Sequence, residues 1–169
     1  VNLPITIDGG TISPGASPGT MTTAGQIWKG GVYLWELNDA TESLAGVNPG
    51  YDKLNIIGTL DIPLLAAFTI DINSLGAPLN YSNTATYAWT IASATTGITG
   101  FDALKFTLDA AGWEPGMTNR AFSLTNVGND LFLNLTSTAP PTTVRTWLSA
   151  AASNVWAAPA GNWDYGVPG

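Results

Sequence analysis

Gly10-Thr11-Ile12-Ser13-Pro14-Gly15-Ala16-Ser17-Pro18-Gly19-Thr20, followed by Gly30-Gly31-Val32-Tyr33-Leu34-Trp35-Glu36-Leu37-Asn38-Asp39-Ala40, decides the fold of this chain. Glycine and proline punctuate the first stretch, and each Pro-Gly step sets a turn because proline fixes φ while glycine tolerates positive φ. The second stretch is a dense aromatic strand, apolar on both parities except at Glu36, the pattern of a strand covered on two sides. Short strands alternating with such turns belong to stacked or sandwiched β-structure.

Working outward, Leu3 to Asp8 reads as a short strand, and Pro4 assigns it to an edge. Leu54, Ile56, Leu60 and Ile62 share one parity; Phe68, Ile70 and Ile72 alternate with Thr69, Asp71 and Asn73. Tyr87–Ile91, Leu104–Leu108, Phe122–Leu124 and Leu131–Leu135 complete the strands, each bounded by Gly, Asn or Pro. Helical signals are confined to one turn within Gly100–Lys105, with Asp102 as its N-cap, and a short alanine run at Ser149–Ser153. The reading is all-β, either a right-handed β-solenoid with an antiparallel cap or a β-sandwich of jelly-roll type. No strict coil-length repeat is visible in the sequence.

Residues 1–139 form the expected β domain. Pro140-Pro141 then breaks the pattern as a stiff spacer, and residues 140–169 carry Trp147, Trp156 and Trp163, three of the seven tryptophans. So much aromatic surface predicts that this segment docks on its own domain or on a neighbouring one.

Composition narrows the function. Of 169 residues, 45% are hydrophobic, enough for a core, but only 10% are charged, so Thr, Ser, Asn, Gly and Ala must cover the surface. Such a surface opposes contact between copies only weakly. The net charge is −7 and the basic residues Lys29, Lys53, Lys105, Arg120 and Arg145 stand singly, which argues against nucleic acid and against anionic membranes. No apolar run is long enough for a transmembrane helix, so membrane insertion is not expected. Val1 in place of an initiator Met reads as a mature or excised product. With no cysteine and no histidine, the usual zinc sites, thiol redox chemistry and His-dependent nucleophilic catalysis are excluded, and no enzymatic activity is expected.

Gly9-Gly10-Thr11-Ile12-Ser13-Pro14-Gly15-Ala16-Ser17-Pro18-Gly19-Thr20, Tyr33-Leu34-Trp35-Glu36-Leu37-Asn38-Asp39, Asp52-Lys53-Leu54-Asn55-Ile56-Ile57-Gly58-Thr59-Leu60-Asp61 and Tyr87-Ala88-Trp89-Thr90-Ile91-Ala92 occur in that order. They resemble the terminal module of bacterial autotransporter-associated β-strand repeat proteins, with Ala16 where those have Asn. The resemblance covers roughly residues 9–136. It implies an exported, cell-surface or extracellular structural protein with no catalytic residues. The tryptophan-rich end resembles the opening of a further repeat, which implies one unit of a tandem or polymerising array.

The functional expectation is a structural subunit that assembles head-to-tail into a fibre, sheath or surface layer, its partners being copies of itself. Val1, Leu3, Ile5 and Ile7, as a strand able to pair with a neighbour's sheet edge, and Trp147, Trp156 and Trp163 are the expected interface. The alternative is an adhesion or carbohydrate-binding module that contacts surface polysaccharide, with Trp113, in a Gly/Pro loop, as its glycan contact. Glu36, Asp39, Glu42 and Asp52 are the densest acidic group and the candidate ligands for calcium, although their spacing follows no calcium-loop pattern. Glu36 with Asp52 or Asp61 is the one carboxylate pair that glycoside hydrolysis could use.

Overall fold

The structure, a computed structural model, describes residues 3–15, 17–138, 145–147 and 163–165. The chain divides into two compact units, Val1–Thr138 and Ala139–Gly169. Within the first, Ile5–Ile12 (β1), Thr20–Asp39 (β2), Lys53–Asp61 (β3), Ala67–Leu79 (β4), Tyr87–Ala94 (β5), Gly97–Thr99 (β6), Phe106–Gly112 (β7), Arg120–Val127 (β8) and Asp130–Ser137 (β9) join one sheet. The protein is all-β. Among the described residues its one helical element is the 3₁₀ turn Ala103–Lys105, whose N-cap Asp102 accepts from the Leu104 N–H, as the sequence predicted.

Most of the pairing is parallel. β2 changes partner between Ile27 and Gly30: its first half lies beside β3 and its second beside β4, so two consecutive strands form the next layer. β3 continues to β5 and β6, and β4 continues to β7, while β1 lies on the other side of β2. The chain is thus a stack of coils. A jelly-roll sandwich would need antiparallel neighbours throughout, and the long excursions between successive layers supply parallel ones. Among the described strands of this unit, antiparallel ladders form at the end of one side, where β5, β9 and β8 make a cap whose last two strands are joined by a hairpin at Gly128-Asn129.

Stacking explains the core. Ile12, Tyr33, Ile70 and Leu108 face one another in a single inward column, and Met21, Leu54 and Ala92 form another. Because the side-chain period is two, the intervening column, Thr11, Val32, Thr69 and Thr107, faces outward. Val32 and Leu34 are only half-buried, so β2 is covered on one face here, not on both as its composition implied. Trp28 stacks on Phe68 at 4.5 Å between centroids, and Trp35 leans on Trp89 at 5.5 Å. Leu131, Leu133 and Leu135 bring the cap onto the same core.

In the second unit Arg145–Trp147 (β10) pairs antiparallel with Trp163–Tyr165 (β11), setting Trp147 opposite Trp163. Val1, Trp156 and the Ser149–Ser153 run lie outside the described residues.

Candidate functional site

Of the four acidic residues singled out in the sequence, two come together. The Asp52 carboxylate is fully buried and accepts the backbone N–H of Gly19 at 2.7 Å and of Glu36 at 3.1 Å. Its own N–H donates to the Glu36 carbonyl, its carbonyl accepts the Trp35 indole N–H at 2.9 Å, and the Ser17 hydroxyl donates to the Glu36 carboxylate. The cluster clasps the Ser17–Gly19 turn, the last part of β2 and the start of β3. Burial pushes the Asp52 carboxyl up to about 7, with the Glu36 charge adding to the rise and the two N–H donors opposing it. Burial also raises Tyr33 well above its ordinary range, and the neighbouring Asp52 charge adds to this.

The other two acids are engaged elsewhere. Burial opposes ionisation of Asp39, but the Thr41 N–H and the Thr41 and Asn80 side chains outweigh it and hold the carboxyl below its usual range. Exposed Glu42 accepts the Ala88 N–H at 2.6 Å. No group of three or more acids among the described residues is disposed to hold a metal ion. Asp61, the other suggested partner of Glu36 in hydrolysis, accepts the Thr99 hydroxyl instead. In Asp52 and Glu36 the carboxyl groups fasten segments together: a group that could exchange a proton near neutrality is walled in by its own hydrogen-bond donors.

Trp113 is not a surface platform. It is 4% exposed and packs against Tyr81, Trp89 and Phe122, with ring centroids at 5.5, 6.1 and 5.3 Å. The loop that carries it folds over the core, so its faces are spent on other aromatic rings and a glycan cannot stack there. A groove of about 470 Å³ lies instead near the outer face of the cap, where Ser123, Thr125, Asn134 and Thr136 are joined by Thr86, Glu42 and the more apolar Tyr87 and Ala88. Sequence reading missed it because those residues belong to separate strands; their shared outward parity is the only trace, and it becomes informative once the β5–β9–β8 register is known.

The remaining candidates lie at the ends of the stack. β1 pairs with β2 of its own chain, and no other described strand pairs with it. Leu3 is 75% exposed and Ile5 46% exposed, although Ile5 belongs to the same inward column as buried Gln26 and Leu60; Ile7 is buried against the core. β7 is the last strand of the opposite edge, and its inward residues Phe106 and Leu108 are only half-buried, whereas Phe68 and Ile70 one layer in are fully covered. Phe106 and Leu108 were legible as strand residues but not as the end of a stack. Compared with family models, curated proteins and solved structures, the chain matches none.

Proposed function

We infer that this chain is a structural module that works by association with copies of itself, as a unit of an extracellular fibre, sheath or cell-surface layer. The observation that carries this reading is the pair of unfinished ends: core-column residues at β1 and at β7 stand exposed or half-covered, beside edges that no other described strand pairs with. Exposed strand edges flanked by apolar side chains are templates for further pairing. The low charge leaves little repulsion to prevent it. Export to the cell surface belongs to the same reading and draws on the resemblance of the motif order to that of autotransporter-associated β-strand repeat proteins. Catalysis has no part in it, since the one strongly perturbed carboxyl is enclosed as a fastening.

Sedimentation velocity across a concentration series, with negative-stain imaging of the concentrated sample, tests the proposal. Reversible growth into elongated particles is expected. A monomer at every concentration overturns it. The groove on the cap favours a second reading, contact with surface polysaccharide, because the Tyr87 ring lines it beside hydroxyl, amide and carboxylate groups that match a polyol's hydrogen bonds. A glycan array on Asn134→Ala and the unmodified chain distinguishes the two.

A further inference from the structure

We propose that two copies join through one specific ladder, the outer edge of β7 in one copy pairing parallel and in register with the outer edge of β1 in the next. This rests on the reading that the chain self-associates, and it names the joint.

Within one copy, β1, β2, β4 and β7 are successive rungs of a single parallel ladder, and β1 and β7 are its two free edges among the described strands. A rung added to β7 in the existing register therefore has the polarity of β1, whose Gly9-Gly10 bulge sets two residues opposite the level of Phe106. Thr107 of one copy then meets Thr11 of the next on the outer face, and Leu108 meets Ile12 on the inner face, repeating the columns Thr11–Val32–Thr69–Thr107 and Ile12–Tyr33–Ile70–Leu108. The half-buried Leu108 and Ile12 gain the cover that Ile70 and Tyr33 already have.

Charge agrees with this register. Lys105 precedes Phe106, which pairs with Phe68, so it stands at the level of Ala67; Ala67 pairs with Gly30, and Gly30 with Asp8. The joint brings Lys105 of one copy, whose ammonium also donates to the Ile62 and Gly100 carbonyls, to the level of exposed Asp8 of the next. The like-charged pair Asp71 and Asp109 continues into Ser13, so no carboxylate meets another across the joint. Contact of this kind is heterologous, the same two different edges at every step, and it builds an open chain of copies instead of a closed dimer.

Because the chain has no cysteine, single thiols report the joint. Thr11 and Thr107 are both exposed, so Thr11→Cys and Thr107→Cys leave the core untouched. Neighbouring in-register positions on adjacent strands lie within disulfide reach. Mixed and oxidised, the two variants are expected to give an 11–107 cross-linked dimer in severalfold excess over either like pair, and the doubly substituted chain a ladder of covalent multimers. Thr22→Cys, on the outward face of the other half of β2, should form no such link with Thr107→Cys. Asp8→Lys should weaken association severalfold in sedimentation while leaving the melting temperature of dilute protein unchanged. If the unmodified chain associates but 11–107 links are no more frequent than 22–107 links, the joint is wrong while self-association stands. If it does not associate at any concentration, both fail.

Discussion

The two ladders of the stack begin alike and end differently. On one side β1, β2, β4 and β7 run parallel from first strand to last, and no other described strand pairs with either edge. On the other, β3 passes to β5, and β5 meets β9 and β8 in an antiparallel run, which ends that half in a hairpin with β8 as its edge strand. Composition does not separate them, since Phe68-Thr69-Ile70-Asp71-Ile72 and Leu131-Phe132-Leu133-Asn134-Leu135 both alternate inward apolar residues with outward ones. Connection length does. Two residues, Gly128-Asn129, can only turn the chain back on itself, with Gly128 at φ 58° making the tight return, whereas the long path from β4 to β7 returns the strand in the same sense. Capping is a property of the turn, and the strand is indifferent to it.

The largest expected effect comes where the two halves meet. Trp89 stacks on Tyr87 at 4.9 Å and touches Trp35 of the stack and Trp113 beneath the cap, so Trp89→Ala should lose about 3–5 kcal/mol in urea unfolding, in a single transition. Two separated transitions would show that cap and stack are independent. Next is pH. The folded carboxyl of Asp52 titrates at about 7, above its ordinary 3.8, so the folded state keeps a proton that the unfolded chain releases. Stability should therefore fall as pH rises from about 4 to about 7, by at most roughly 4 kcal/mol, then level off, and Asp52→Asn should abolish the slope. Asp39 works in the opposite sense: its lowered pKa contributes stability above the usual carboxylate range that is lost on further acidification.

A smaller change separates the open ladder from the cap. A Cβ at Gly31, whose φ is 117°, would sit 2.6 Å from the Gly10 carbonyl oxygen on β1. Gly31→Ala should cost about 1–3 kcal/mol and speed hydrogen exchange in β1 while β8 and β9 stay protected. The smallest effect is expected at the turn between β3 and β4. Leu64 and Leu65 are 84% and 92% exposed, and Leu64→Ser should shift stability by no more than about 0.5 kcal/mol. A larger loss would place that turn in a contact between copies.

Alternation made strands legible from Val32–Leu37 through Leu131–Leu135, though not the first half of β2 or the short β6, β10 and β11, and Asp102 marked the one 3₁₀ turn among the described residues. The stacking was not legible, because its steps are unequal: Thr20 meets Lys53, while Tyr33 in the same strand meets Ile70, four residues further than an even step would carry it. A repeat that lengthens within one coil leaves no fixed period to detect. Trp113 was misplaced for a related reason. Its neighbours in sequence are Gly112, Glu114 and Pro115, a surface composition, while the rings that bury it come from Tyr81, Trp89 and Phe122. The Asp52 clasp was half legible, since the acids were visible but the donors that hold them are backbone N–H groups, which every sequence has.

A hairpin that extends only half of an end leaves a step in it. Any neighbour arriving at that end meets a shoulder on one flank and a vacant ledge on the other, so its azimuth is set before a single bond across the joint has formed. Lopsidedness of this kind would let a growing filament lengthen without losing its bearing.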